Sequence, residues 1–477
     1  MITSDLLLVI PELALLGLVC LVLVLDTVFR RPGTYVAYWL TQASLVIVLA
    51  LVLATAPDTA VHGFAGNFIS DPMSTLLKAV ICLISLFVFF YSHDYLREHG
   101  MFKGEYFVLG LFAVLGMMVM ISAASLLTVY LGLELLSLSL YAMVAMHRES
   151  PTASEASMKY FVLGALASGM LLYGISMLYG ASGSINLHDV AAYAAAHRGN
   201  DVLLVFGLVF VVVGVGFKLG AVPFHMWIPD VYEGAPTAVT LFISSAPKVA
   251  AFAMAIRLLA DGMQPLQPDW QGMLVILSLL SMAAGNIIAI AQGNIKRMLA
   301  YSTIAHVGFL MLGILAGTGA GYAGAMFYVI VYALMSMGAF AMVILLGRKG
   351  MEADRLDDFK GLSARSPWFA FIMLILMFSM AGVPPFLGFW AKWFVFKEVV
   401  AAGGVWLATV GVLFSVVGAF YYLRIVKLMY FDKPDSLVAI KASQSMRLVL
   451  SLNGLALLVL GFAPGLLMAL CLHALAK

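Results

Sequence analysis

Four lysines stand where lysine is costly. Lys218 ends the apolar run DVLLVFGLVFVVVGVGFKL, Lys248 lies in LFISSAPKVAAFAMA, Lys392 in PPFLGFWAKWFVF and Lys78 in STLLKAVICLIS. One carboxylate, Glu134, sits in the middle of SLLTVYLGLELLSLSLYAMVA, and Glu12 lies near an end of the first apolar run. An ionisable side chain at mid-membrane costs several kcal/mol and marks an ion or proton pathway. Lysine suits proton transfer in such a place. Burial lowers a lysine pKa from about 10.4 by as much as about 3–5 units, and a nearby carboxylate raises it again. Arginine would stay protonated. The residue types therefore support an alternating Glu134–Lys218 pair that passes a proton to the next lysine.

The neighbouring residues sort by the same chemistry. Histidine ordinarily titrates near neutral pH, so His225 and His306 are further relay candidates, together with Lys159. A lone helical histidine is more often simply hydrogen-bonded. Lys78 lies near a span end, where snorkelling or a structural ion pair accounts for it. Ser302 and Thr303 read as helix-packing residues. Two short stretches interrupt their runs alike: GAVPF at Gly220–Phe224, with Pro223, and GVPPF at Gly382–Phe386, with Pro384 and Pro385. Proline removes a backbone N–H and frees a carbonyl about a turn earlier. In hydrocarbon such groups are tolerated only where protein or water satisfies them, so each break implies a polar cavity.

The elements that hold these residues are membrane helices. The chain of 477 residues is 63% hydrophobic and only 10% charged, against about one quarter charged in a soluble domain. With roughly 20 apolar residues per crossing, fourteen segments emerge: 6–25, 36–54, 73–92, 105–122, 124–146, 157–180, 202–222, 237–260, 271–291, 297–317, 322–347, 367–397, 403–430 and 447–471. The split at ISAAS, between the fourth and fifth, is the weakest. The start MITSD has no positive n-region, and Asp5 and Asp26 flank the first run. It reads as a spanning helix rather than a cleaved signal peptide.

Charge orients the bundle. With the N-terminus outside, Arg30, Arg31, Arg97, Lys103, Arg148, Lys159, Lys296, Arg297, Arg348, Lys349, Arg355, Lys360, Arg365, Arg424, Lys427, Lys433, Lys441 and Arg447 all fall on the cytoplasmic side. Only Arg198, Arg257, Lys397 and Lys477 fall opposite. The positive-inside rule then places both termini outside.

The two breaks suggest internal duplication. Their Gly, Pro and Phe match at an offset of 162 residues, in the seventh and twelfth segments. A five-segment offset reverses the direction of travel, so segments 4–8 and 9–13 read as inverted repeats, a plan common in transporters with broken helices. The organisation is then residues 1–104 for three N-terminal helices, 105–260 and 271–430 for the repeats, and 447–477 for a last helix.

Other chemistry is not indicated. Cys20, Cys82 and Cys471 are scattered through apolar runs, with no metal or disulfide spacing. Gly214, Gly216 and Gly220 miss the dinucleotide fingerprint by one residue and lie in a membrane helix. Net charge is +2, and no basic cluster with interleaved aromatics suggests nucleic acid.

KLGAVPFHMWIPDVYEGAPT and NIKRMLAYSTIAHVGF resemble the signatures of the antiporter-like subunits of respiratory complex I and of multisubunit cation/proton antiporters. The resemblance spans nearly the whole chain. It implies an all-α fold of fourteen helices with two inverted five-helix repeats, each containing a broken helix. It implies proton carriage by the residues matching Glu134, Lys218, Lys248 and Lys392. The lack of a long C-terminal lateral helix, and Lys392 where the middle subunit usually has Glu, narrow the match within complex I. The resemblance further implies a bacterial inner membrane location, with membrane subunits M and K, the lateral helix of subunit L and lipids as partners. NADH, FMN, iron–sulfur clusters and quinone would be bound by other subunits, and this chain would hold no cofactor or metal. The alternatives are a subunit of a Na⁺/H⁺ antiporter complex, or a solute carrier or membrane scaffold. No carboxylate cluster suited to Na⁺ lies in the membrane runs, which favours H⁺.

Overall fold

Backbone groups in hydrocarbon must be satisfied within their own segment, so the apolar runs fold as helices. A computed structural model describes residues 2–29, 35–198, 201–347, 352–434, 440 and 442–476. Of the cations used for orientation, Arg30, Arg31, Arg348, Lys349, Lys441 and Lys477 lie outside the described residues. Among the described residues, thirteen helices are long and apolar enough to cross a membrane. They are α1 Ile10–Val28, α2 Val36–Ala54, α3 Pro72–Glu98, α4 Gly104–Ile121, α5 Leu126–Val144, α6 Pro151–Ser182, α7 Val202–Leu219, α8 Thr237–Gly262, α9 Gln264–Ile290, α10 Ile295–Leu315, α11 Gly319–Leu346, α13 Val405–Tyr430 and α14 Gln444–Phe462. Between α11 and α13 lies α12, in two shorter pieces, Pro367–Ala381 and Leu387–Ala401. A small antiparallel hairpin, Val61–Gly63 with Phe68–Ser70, joins α2 to α3.

Polar residues at the ends of apolar runs set the helix starts. Ser125 opens α5 by accepting from the Thr128 N–H at 3.2 Å, so ISAAS is a true turn. Asp71 and Ser74 form a reciprocal capping box on α3. Two boundaries differ from the hydropathy reading. The seventh segment stops being helical at Leu219 rather than continuing to 222. The last apolar run divides, because Pro464 opens a new helix, Pro464–Ala474, after α14.

The centre of the bundle is α8, α10 and α11. All of the apolar window of α8 is buried, against 28% for α1, so α8 is a core element and α1 a peripheral one. Glycines set the tightest crossings. A Cβ at Gly132 of α5 would lie 2.6 Å from Met120 N and 2.8 Å from Gly116 O on α4. A Cβ at Gly285 of α9 would lie 2.5 Å from Ala305 N on α10. Small residues let membrane helices approach to backbone contact.

Ion clusters fasten the two ends of α8. At its C-terminal end Arg257 reaches Asp71 at 2.8 Å and Asp261 at 3.1 Å, and its Nε–H donates to the Ile121 carbonyl at 3.1 Å. At its N-terminal end Glu352 accepts from Lys296 at 2.8 Å, from the Thr237 hydroxyl at 2.7 Å and from the Tyr95 hydroxyl. Burial pushes the Glu352 carboxyl up. The charge and hydrogen bond of Lys296, with those of Tyr95 and Thr237, outweigh that and hold it at about 2, below the ordinary 4.5.

Two outcomes follow from this architecture. Gly132→Val drives a side chain into α4 and lowers the thermal unfolding temperature in detergent. Gly17→Val, at a position with nothing within 4 Å of the new Cβ, leaves it unchanged. The Glu352 cluster contributes up to about 3 kcal/mol above the unfolded-state carboxyl pKa. That contribution falls as pH drops from about 4.5 toward about 2. Chemical unfolding across that window shows the slope in the native chain, and Glu352→Gln reduces it.

Candidate functional site

Both breaks are built alike, residue for residue. At the end of α7, Gly220 adopts φ 88° and ψ 37°, and at the end of the first piece of α12, Gly382 adopts φ 86° and ψ 37°. These are left-handed conformations that glycine adopts without steric cost. The N–H groups of Gly220 and Ala221 both donate to Gly216 O at 2.8 Å; those of Gly382 and Val383 both donate to Phe378 O at 3.0 Å. The Val222–Pro223 and Pro384–Pro385 bonds are cis.

The last helical carbonyls before each break are left without the next turn's N–H groups. A lysine takes them. Lys248 of α8 donates to the Leu219 carbonyl at 2.8 Å. Lys392, in the second piece of α12, donates to the Ala381 carbonyl at 2.9 Å, to Met380 O at 3.3 Å and to Ser415 Oγ at 2.8 Å. Leu219 and Ala381 stand at the same offset as the glycines. Each ammonium also faces a ring, with Lys248 Nζ 5.1 Å from the Trp227 centroid and Lys392 Nζ 5.0 Å from that of Phe309. Helix C-termini carry negative partial charge, so a cation there is favourably placed.

Lys218 behaves differently. It occupies the last turn of α7, but its ammonium donates sideways to Ser137 Oγ on α5 at 2.9 Å. Glu134 lies one turn before Ser137 and accepts from the Ser168 hydroxyl of α6. Ser168 is also 3.4 Å from the Tyr130 hydroxyl. Among the described residues Glu134 and Lys218 make no direct ion pair; Ser137 stands at the lysine. The anticipated pair is thus open. The three lysines Lys218, Lys248 and Lys392 are at most 7% exposed, whereas Glu134 is half-buried.

His306 of α10 sits in a cage of hydroxyls. Its Nδ1 is 2.6 Å from the Tyr328 hydroxyl and its Nε2 3.0 Å from that of Tyr422. Ser302 bonds Tyr422 at 2.5 Å, and Thr303 accepts from Tyr332 at 2.7 Å. Ser302 and Thr303 therefore belong to this polar network and are not merely packing residues. A cavity of about 10 Å³ is lined by Leu219, Lys248, His306, Tyr328 and Tyr332, among others. That is about the least space that holds one water, and it lies between Lys248 and the histidine cage.

Other expected residues fall elsewhere. His225 is half-buried in the first break, and its Nδ1 has no hydrogen-bond partner. Lys159 lies 2.7 Å from Glu155 and 2.8 Å from Asp230. Arg297 shares Asp230 with it and also pairs with Glu233, each at 2.8 Å. Burial pushes the Asp230 carboxyl up, but hydrogen bonds from Lys159 and Arg297 and their charges hold it below the usual carboxylate range. Lys78 is buried and paired with Glu12 at 2.5 Å rather than reaching for the surface. Sequence reasoning missed the tyrosines, Ser137 and Ser415. Only Ser137 carried a signal, its i+3 spacing from Glu134. Among the described residues no group of His, Cys, Asp or Glu is placed to hold a metal ion.

Charged groups solvated by helix ends in a membrane interior define a polytopic protein with an ionisable transmembrane core. The chain belongs to the NADH:quinone oxidoreductase/Mrp antiporter transmembrane family, whose model matches residues 123–418. NADH-quinone oxidoreductase subunit N of Thioalkalivibrio sulfidiphilus is 58% identical over 98% of this chain and 97% of its own length. The subunit N of Thiobacillus denitrificans is 58% identical over 97% of this chain and 96% of its own. A chain of respiratory complex I from Thermus thermophilus superposes with a TM-score of 0.82 at 31% identity, covering 96% of this chain and 99% of that one. A chain of the Mrp complex from Dietzia shares the fold, with a TM-score of 0.88 at 21% identity over 100% of this chain and 97% of that one.

Lys248→Met removes the donor from the Leu219 carbonyl. The expected loss is about 1–3 kcal/mol, the cost of a buried carbonyl left without its partner. Denaturant unfolding in detergent reads it, and Met226→Ala, at a side chain 64% exposed, is the control.

Proposed function

We propose that this chain is a proton-translocating membrane-arm subunit of a bacterial NADH:quinone oxidoreductase, and that Glu134, Lys218, Lys248 and Lys392 carry the proton. The observation that carries the site assignment is the pair of carbonyl-bound lysines, Lys248 on Leu219 and Lys392 on Ala381. Lys392 has three acceptors and Lys248 has the Leu219 carbonyl and the Trp227 ring, and each can release a proton to a neighbour. The proposed file runs from Glu134 through Ser137 to Lys218, then to Lys248. One water in the adjoining cavity hands on to His306 and its tyrosines. Phe309 lies a turn from His306 and faces Lys392. His225, in the first break, is a second relay candidate. Lys159, Asp230, Glu233 and Arg297 form a charged mouth beside the first break.

The inverted-repeat organisation, residues 105–260 against 271–430, belongs to this reading. It is supported by the matching breaks, and by the glycine crossings of α4 on α5 and of α9 on α10. Quinone reduction in partner subunits would drive the charge changes, with NADH, FMN, iron–sulfur clusters and quinone all bound there. This chain would take no redox step itself. Subunits M and K would flank it, and the lateral helix of subunit L would run along it. With both termini periplasmic, protons would move from cytoplasm to periplasm.

The test is proton pumping by the assembled complex in liposomes, measured against NADH oxidation. Lys218→Ala and Glu134→Ala each lower the protons pumped per NADH several-fold while the complex still assembles. Full pumping by both variants overturns the pathway.

A further inference from the structure

Glu12 and Lys78 take no part in the file above and lie outside the family-matched residues. Yet they form an ion pair at 2.5 Å, 6% and 4% exposed. α1 packs on α2 and α4, so the two long side chains reach across between α1 and α3.

Further polar atoms lie along the same three helices. Glu12 Oε2, Thr41 Oγ1 of α2 and Ser85 Oγ of α3 are buried with no hydrogen-bond partner. Lys78, Cys82 and Ser85 share one face of α3 at i, i+4 and i+7. Gln42, next to Thr41, donates from Nε2 to the Leu86 carbonyl at 3.3 Å, which holds this part of α2 against Ser85's turn. One turn back on α2, the Tyr38 ring lies 4.7 Å from that of His93, and His93 Nδ1 is 2.8 Å from Asp94 Oδ1. At the other end the Phe68 ring of the hairpin stands 5.0 Å from Lys78 Nζ and covers it. From Lys78 to His93 the helix rises about 22 Å at 1.5 Å per residue, most of a hydrocarbon core of roughly 30 Å.

A mere tie between helices needs none of this. Each orphaned buried hydroxyl is unfavourable, and replacing a buried ion pair with apolar side chains is often neutral or stabilising. Buried oxygens without a protein partner, here Glu12 Oε2, Thr41 Oγ1 and Ser85 Oγ, are ones that internal water satisfies. We infer that Glu12 and Lys78 form a second, hydrated proton-transfer site. It ends a polar file along α3 that includes Ser85, Thr41, Gln42, Tyr38 and His93, and its ligands are water and the proton. The acid–base step balances within the pair. Transfer from Nζ to Oε converts ammonium and carboxylate into amine and carboxylic acid. A proton arriving on the carboxylate allows one to leave the ammonium.

The experiment uses the assembled complex in liposomes, with Lys218→Ala as a reference for the main file. The double variant Glu12→Gln/Lys78→Met, which removes both charges together, pumps several-fold fewer protons per NADH, and Glu12→Asp with native Lys78 restores most of that. Ser85→Ala and Thr41→Val keep the pair but remove two oxygens of the file. They slow pumping several-fold and enlarge its solvent deuterium effect, which a structural tie would not do. Native pumping and a native isotope effect in an assembled double variant overturn the inference. If the double variant fails to assemble, the same native values in Ser85→Ala and Thr41→Val overturn it. Loss of pumping in Lys218→Ala alone leaves the main file standing and this site refuted. Loss in the α1–α3 variants alone does the reverse.

Discussion

An ammonium group inside a bilayer needs acceptors within reach of its three hydrogens, and an apolar helix has none to spare. Its carbonyls are already bonded to the N–H groups of the next turn. This chain frees carbonyls by ending a helix inside the membrane with a left-handed glycine, followed closely by proline. Leu219 and Ala381 then present oxygens to Lys248 and Lys392. The negative end of the helix dipole favours the same cation. Break and lysine are therefore one device: the broken end solvates the charge, and the charge satisfies the broken end.

The rest of the bundle keeps that device in register. A break weakens a helix, so the helices around it must be rigid. α8, α10 and α11 supply the enclosed centre, and the glycine crossings bring backbones too close for a slip of one residue. The ion clusters around Arg257 and Glu352 fasten opposite ends of α8, the helix that carries Lys248. A small cavity lies beside Lys248, between it and the His306 cage.

Much of this was legible in the amino-acid order. Hydropathy located the spans because nothing but helix satisfies backbone groups in lipid. Lys218, Lys248, Lys392 and Glu134 stood out because charge is so rare there. GAVPF and GVPPF announced the breaks. Which lysine serves which break was not legible. Lys218 is nearest in sequence to the first break, yet Lys248, from the following helix, binds its carbonyl. That depends on the direction a side chain leaves its helix and on how two helices lean together. The tyrosine cage of His306 was hidden for a similar reason, since Tyr328 and Tyr422 come from distant helices and look like ordinary aromatic residues in apolar runs. The Glu12–Lys78 pair joins residues whose partnership only the three-dimensional packing reveals.

We propose that the break lysines are proton carriers and not only cationic struts. Lys392→Arg separates the two roles, because a guanidinium keeps the charge and the donors for Ala381 and Ser415 but does not give up its proton at physiological pH. The measurement is the number of protons pumped per NADH oxidised by the assembled Lys392→Arg complex in sealed liposomes. The expected result is normal assembly with pumping reduced several-fold. Pumping at the native ratio would contradict it.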